Sequence, residues 1–80
     1  MKEKDFKEKF EIMKNKYGRF NVVALKQGRE IVIIADSYKM IGRTVTGQTL
    51  IVGFRYKDVP TGLMHLKDVA YFEYAGDRLY

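Results

Sequence analysis

The apolar positions of the chain follow a helical period at its start and a strand period afterwards. Four large apolar side chains recur at intervals of four, three and four residues, namely Phe6, Phe10, Met13 and Tyr17. This spacing stacks them on one side of an α-helix, with Lys and Glu on the opposite side. Gly18 supplies a C-terminal stop. The pattern predicts a helix over residues 2–17 whose apolar stripe packs on the rest of the domain.

Two segments rich in Val and Ile follow the helix and are separated by the polar sequence Gln27-Gly28-Arg29. Because glycine adopts positive φ at no steric cost, this break predicts a tight reversal between strands over residues 20–26 and 30–36. Both faces of each strand are apolar, whereas a half-exposed strand has one polar face. The hairpin is therefore expected to be covered on both sides, by a closed barrel, a helix or another subunit.

The remaining apolar runs predict three more strands, over residues 40–46, 48–57 and 63–74. Gly53 lies in the middle of the second run, which indicates a bulge or a sharp bend. Residues 58–62 are predicted to form a turn, since Pro60 cannot donate to a strand ladder. One helix and five short strands within a single domain, residues 1–80, predict a mainly β fold with an N-terminal α-helix.

Two sequences in the strand region resemble those of the Sm-like family. Leu25-Lys26-Gln27-Gly28-Arg29-Glu30 is similar to the first hairpin of that family, and Leu63-Met64-His65-Leu66-Lys67-Asp68-Val69 is similar to a later apolar strand. Members of the family begin with a helix and then form a strongly bent barrel. The resemblance therefore implies a small five-stranded SH3-like or Sm-like barrel capped by the helix. The family's Asp and Asn pair after the second strand, and its Arg-Gly or Lys-Gly pair near the end, do not occur in this sequence.

Composition limits the means by which so small a domain is stabilised. The chain has 80 residues and no cysteine, so disulfides and thiolate metal sites are excluded. A small core gains stability from oligomerisation or from unusually good packing. No apolar run reaches the roughly 20 residues that span a bilayer, and the N-terminus alternates basic with acidic residues. A cytoplasmic protein is expected.

The inventory of catalytic side chains is thin. The chain has one Ser, Ser37, and one His, His65. A triad with Asp68 is not supported, because His65 and Asp68 are three apart on a predicted strand and point to opposite faces. The acidic residues lack metal-binding spacing, and the glycines fit no phosphate-binding motif. The sequence predicts a non-enzyme without cofactor or metal.

Basic side chains adjacent to tyrosines predict a nucleic-acid-binding surface. The candidate residues are Tyr38, Lys39, Arg55, Tyr56 and Lys57. Rings stack on unpaired bases and cations bind phosphates, so RNA or single-stranded DNA is the expected partner. A net charge of +5, with 15 basic against 10 acidic residues, permits such attraction. Equally, the tyrosines could border the core or a subunit contact, and the cations could form a solvated strand face.

The last predicted strand carries no charged or proline guard between Asp68 and Glu73. An unguarded edge strand pairs readily with a neighbouring chain, so a homo-oligomer, either a ring or a dimer, is expected. The candidate oligomer-edge residues are Val69, Tyr71, Phe72 and Tyr74. The alternative is a protein-interaction or scaffold module, such as a phage-type accessory or inhibitor protein, that binds no nucleic acid. A small-molecule-binding barrel is a third possibility.

Overall fold

The structure is a computed structural model and describes residues 1–42, 47–56 and 58–74. Its elements are α1 (Glu3–Tyr17), β1 (Phe20–Lys26), β2 (Arg29–Ala35), β3 (Ser37–Ile41), β4 (Leu50–Arg55), β5 (Val59–His65), a 3-10 turn (Leu66–Asp68) and β6 (Val69–Glu73). The predicted mainly β fold with one N-terminal helix is confirmed. The later part of the strand predicted over residues 40–46 lies outside the described residues, as does Lys57.

Helix α1 agrees with the predicted helix to within one residue at its start. It ends at Gly18, which has φ of 79° and whose N–H donates to the carbonyl oxygen of Lys14 at 2.8 Å. Glu3 and Asp5 lie in the first turn and basic residues in the last turn, as the helix dipole favours. Phe6 and Phe10 are the buried side chains of the helix.

The first antiparallel sheet has the strand order β2-β1-β6. The hairpin of β1 and β2 was predicted and is present, with Lys26 opposite Arg29 at its closed end. Gln27 and Gly28 between them have φ of 51° and 77°. Positive φ at both central residues is the signature of a type I′ turn, whose twist matches that of the flanking strands.

The second antiparallel sheet has the order β3-β4-β5. Asp36 alone separates β2 from β3, so the chain passes directly from one sheet into the other. The N–H of Asp36 donates to the carbonyl oxygen of Phe54 at 3.0 Å, which fixes this crossing point against β4. The register of β4 with β5 shifts between Gly53 and Phe54, as expected of a bulge.

Gly53 also allows the two sheets to approach closely. A Cβ atom at this position would overlap Cγ2 of Ile33 in β2 and would lie 3.1 Å from Oγ1 of Thr61. No side chain larger than hydrogen fits here without displacing the side chain of Ile33. The mid-strand glycine thus serves both the bulge and the packing of β2 over β4.

The core lies between the sheets and beneath α1. Five rings form an aromatic cluster at its centre, namely Phe6, Phe10, Phe20, Tyr38 and Phe72. The ring of Phe6 meets that of Tyr38 edge-on at 5.0 Å and that of Phe72 at 5.3 Å. Tyr38 belongs to β3 and Phe72 to β6, the outer strands of the two sheets. The helix therefore joins one sheet to the other through these contacts.

The prediction of a closed five-stranded barrel was wrong. The described residues form six strands in two separate sheets. The 3-10 turn at Leu66–Asp68 divides the strand predicted over residues 63–74 into two. Of the turn predicted over residues 58–62, only Asp58 is a turn residue, and residues 59–62 are instead the first part of β5. Proline is tolerated there because β5 is an outer strand, where a missing N–H need not interrupt a ladder.

The outward face of the first sheet is covered partly by its own side chains. Val23 of the central strand is only 1 % exposed and lies opposite Tyr71 of β6. The Tyr71 hydroxyl donates to Oε1 of Glu30 in β2 at 3.5 Å, so the ring reaches across β1 to the far strand. The sequence predicted a cover on both faces of the β1–β2 hairpin. On the outward face, the Tyr71 side chain provides part of that cover.

Replacing Phe6 with Ala should destabilise the protein by about 3–5 kcal/mol, because a buried ring that contacts both sheets would be lost. Equilibrium denaturation with urea, followed by circular dichroism, measures this change. Lys4→Ala on the same helix is the control, since Lys4 is exposed. We expect the control to change the free energy of unfolding by no more than about 0.5 kcal/mol. Equal effects of the two substitutions would contradict the packing described for α1.

Candidate binding site at the open seam

A groove lies between an outer strand of each sheet. Strand β2 is an outer strand of the first sheet, and β5 is an outer strand of the second. The groove between them, here called the seam groove, has a volume of about 510 Å³. It is lined by Val32, Ile34, Arg55, Tyr56, Val59, Pro60 and Thr61. The groove is thus an apolar depression where β2 packs on β5, with Arg55 and Tyr56 at its border.

Tyr56 is held in an unusual conformation at the end of β4. Its φ is 52°, in the left-handed region that large side chains rarely adopt. The backbone N–H of Tyr56 donates to Oδ2 of Asp36 at 2.8 Å, so the residue that connects the sheets also fixes this turn. The side chain is nevertheless 66 % exposed. Backbone strain at an exposed aromatic residue is a feature of binding sites.

Two guanidinium groups flank the Tyr56 ring. Arg19 Nη1 lies 3.4 Å from the Tyr56 hydroxyl oxygen and Arg55 Nη2 lies 3.5 Å from it, and both donate to it. The Cζ atoms of Arg19 and Arg55 lie 6.0 and 5.3 Å from the ring centroid, within cation–π range. Arg19, Tyr56 and Arg55 form what is called here the arginine–tyrosine cluster.

The electrostatics of this cluster favour a negative charge. The hydrogen bond from Arg19, followed by that from Arg55, lowers the pKa of Tyr56 below the usual tyrosine value. Both cations stabilise the phenolate, which is the charged form of the side chain. The same positive potential attracts a phosphate or carboxylate, and paired guanidinium groups suit the oxygens of a phosphate.

The structure separates the other predicted nucleic-acid residues from this cluster. Tyr38 lies on the core side of β3, with its ring 4.5 Å from that of Phe10, and burial raises its pKa. Lys39 is exposed on the opposite face of the strand, and its Nζ lies 5.8 Å from the Phe54 ring centroid. Arg55 and Tyr56 are therefore brought together in the seam groove, whereas Tyr38 packs in the aromatic cluster.

Arg19 was not among the predicted site residues. It follows Gly18 at the end of α1, where a basic residue is accounted for by the helix dipole. Its partner Tyr56 is 37 positions away in the sequence. Neither local spacing nor composition connects two such distant residues, and only the packing of α1 beside the sheets does so. A pattern of adjacent Arg and Tyr residues could find Arg55 but not Arg19.

The candidate oligomer-edge side chains all make contacts within the chain, and two of them, Tyr71 and Tyr74, stay partly exposed. Val69 is buried, and Phe72 belongs to the aromatic cluster. Tyr74 stacks on Tyr17 with ring centroids 4.1 Å apart and planes inclined by 9°. Tyr71 contacts Glu30 across the outer face, as described above. Strand β6 is nevertheless an outer strand, so pairing with another chain would involve its backbone more than these side chains.

The residues considered for catalysis are not brought together. Ser37 lies opposite Phe54 and His65 lies opposite Leu50, so the two are on either side of β4 and four residues apart along it. Strand geometry places them roughly 16 Å apart. Within residues 1–42, 47–56 and 58–74, no group of three or more His, Asp or Glu side chains could hold a metal ion.

The fold and the groove together define a small mainly β protein with one N-terminal helix and a cationic, aromatic site at the seam of its sheets. Comparisons of the chain with protein-family models, with curated proteins and with solved structures find no significant match. Among the described residues, no helix has the length and apolar character needed to span a membrane.

The arginine–tyrosine cluster predicts an early ionisation of Tyr56. We expect one tyrosine to titrate below the usual pKa of about 10, and its pKa to rise in Arg19→Ala, since the largest stabilising contact to the phenolate is lost. Because the pKa is lower in the folded state than in the unfolded chain, this group stabilises the fold at high pH and loses that effect as the pH falls. Ultraviolet difference titration, with Tyr56→Phe to assign the transition, provides the measurement. An unchanged titration in Arg19→Ala would contradict the contact.

Proposed function

We propose that the protein is a non-enzymatic binding module that contacts RNA or single-stranded DNA through the arginine–tyrosine cluster. The observation that carries this proposal is the exposed Tyr56 ring, fixed by Asp36 and flanked by two guanidinium groups. An exposed ring of this kind stacks on an unpaired base, and arginines beside it bind the adjoining phosphates. The net charge of +5 assists the approach of a polyanion.

Lys39 extends this proposed surface onto the outer face of the second sheet. Its ammonium group lies over the Phe54 ring, which gives a second pair of cation and aromatic side chain. Phe54 is in the same strand as Arg55 and is half-buried. A single strand that runs from the seam groove along β4 would meet both pairs. Tyr38 has no part in this contact, because its ring packs against α1.

The relationship to the Sm-like family is likewise a proposal. It is supported by the N-terminal helix and by the abrupt bend at Asp36, where the chain leaves one sheet for the other. The open seam departs from the barrel that the family forms. The proposed contact does not depend on this relationship, since it rests on residues at the seam rather than on the family's own sequence pairs.

Single-residue substitutions test the proposed contact. Arg19→Ala should weaken the binding of a labelled oligonucleotide and reduce the slope of log affinity against log salt by about 1. Arg29→Ala removes the same charge from the exposed β1–β2 hairpin and should have a smaller effect on affinity. Fluorescence anisotropy at several salt concentrations measures both. No binding by the wild-type protein, or equal losses in the two variants, would refute the proposed site.

Tyr56→Asn tests the ring separately from the charge. Asparagine accepts left-handed φ better than tyrosine, so the free energy of unfolding should be unchanged or increased. Oligonucleotide affinity should nevertheless fall about tenfold, because base stacking on the ring is lost. A stable variant with full affinity would show that the ring makes no contact.

We also propose that the chain forms a homo-oligomer through the backbone of an outer strand. The support is the position of β6, which pairs with β1 alone among the described strands. Beside it lies an apolar groove of about 250 Å³ whose walls include Ile12, Met13 and Ala70. An added strand would find both hydrogen-bonding groups and an apolar wall there.

Light scattering tests the proposed oligomer directly. Without any oligonucleotide present, we expect a mass that is a multiple of that of one chain. Ile12→Lys should lower this mass, since it places a charge beside β6 without altering the buried face of α1. A monomer at all concentrations would refute self-association. The groove beside β6 would then be the leading site for binding a different protein, which is the alternative function.

A further inference from the structure

We propose that the seam groove is a pocket for a single nucleobase whose phosphate is held by Arg19 and Arg55. The inference rests on the proposed function and adds to it the part of the ligand that enters the groove. It follows from three properties of the groove, which are its apolar walls, the two guanidinium groups at its border and the proline on one of its edges.

The walls of the groove suit a flat aromatic ring. Val32 and Ile34 project from β2, and Val59 and Pro60 face them from β5. A volume of about 510 Å³ falls within the usual range of sites for small organic molecules. Val32 and Val59 are half-exposed, so contact with a ligand would remove apolar surface from water. A base inserted between these walls gains dispersion contacts on both faces.

The border of the groove supplies the positive charge that a phosphate needs. Arg19 Nη1 and Arg55 Nη2 both donate to the Tyr56 hydroxyl, at 3.4 and 3.5 Å. Guanidinium groups pair with phosphate oxygens through parallel N–H donors. Apolar walls beside two such cations suit a ligand that joins a flat ring to a phosphate, as a nucleotide does.

The edge of the groove disfavours the other common occupant, an extended peptide strand. Pro60 has no N–H, so a strand added along β5 would lack one ladder hydrogen bond. Proline on an outer strand is a recognised protection against such pairing. A base that enters the groove edgewise needs no backbone hydrogen bonds to β5. The phosphate attached to it would reach the two guanidinium groups that already converge on the Tyr56 hydroxyl.

The pocket sets a condition on the nucleic acid. A base can enter the groove only when it is unpaired and turned away from its neighbours, which restricts binding to strand ends, loops and flexible single strands. Tyr56 then serves as the surface on which the next base stacks. One nucleotide unit accounts for the apolar walls and the paired arginines.

A comparison of two small ligands tests the pocket. Uridine 5′-monophosphate carries base and phosphate, whereas ribose 5-phosphate carries the phosphate without the base. Titrations of ¹⁵N-labelled protein, followed by amide chemical shifts, should show that uridine 5′-monophosphate binds at least about fivefold more tightly. Inorganic phosphate should displace both ligands, since all three share the arginine pair.

Variants of the groove locate the effect. Val59→Gln places a longer polar side chain at a half-exposed position on the β5 wall of the groove. Val32→Gln places a longer polar side chain in the groove at a half-exposed position. In each variant, the affinity for uridine 5′-monophosphate should fall towards the affinity for ribose 5-phosphate. Lys26→Gln, at the far end of β1, is the control and should leave the ratio of the two affinities as it is.

The outcomes separate the pocket from the function on which it rests. If oligonucleotides bind with the dependence on Arg19 described above, but the two small ligands bind equally, the base pocket is wrong and the proposed function stands. If neither oligonucleotides nor small ligands bind, both fail. If an apolar peptide shifts the groove amides and uridine 5′-monophosphate does not, the groove serves a protein partner and the inference is overturned.

Discussion

The packing of Phe6 against both Tyr38 and Phe72 is the interaction on which the rest of the structure depends. These rings belong to α1, β3 and β6, and the last two are the outer strands of different sheets. Burying one such side chain is worth about 1.5–3 kcal/mol, as an upper estimate, which is a large share of the stability of a small domain. Two three-stranded sheets of this size need a shared core, and the helix supplies its central side chains.

The aromatic cluster and the seam groove lie at different borders of the two sheets. The cluster residues come from α1, β1, β3 and β6, so the helix joins β3 to β6, whereas β2 packs directly on β4 and β5. Gly53 allows β2 and β4 to approach closely, and Asp36 holds the adjoining turn in place through the Tyr56 N–H. The seam groove lies outside this contact, between β2 and β5. Its chemistry comes from the residues that this arrangement brings to its border.

Local patterns predicted the helix, the first hairpin and the bulge, because each depends on residues close in sequence. The spacing of Phe6 and Phe10 and the glycines at 28 and 53 were sufficient for this. Pro60 was misleading, since proline indicates a turn unless the strand is known to be an outer one, which is a property of the sheet. The separation of Tyr38 from Lys39 follows from strand alternation and could have been predicted. The convergence of Arg19 on Tyr56 could not, because it depends on where α1 ends relative to the second sheet.

Photocrosslinking tests the central claim, that the open seam is the binding site, most directly. A short oligonucleotide that carries 4-thiouridine at one position would be irradiated with the protein, and the modified residues identified by mass spectrometry. The account predicts modification at Tyr56 and at the neighbouring positions of β5, with much less in Arg19→Ala. Modification confined to the outer face of α1, around Lys7 and Glu11, would contradict it.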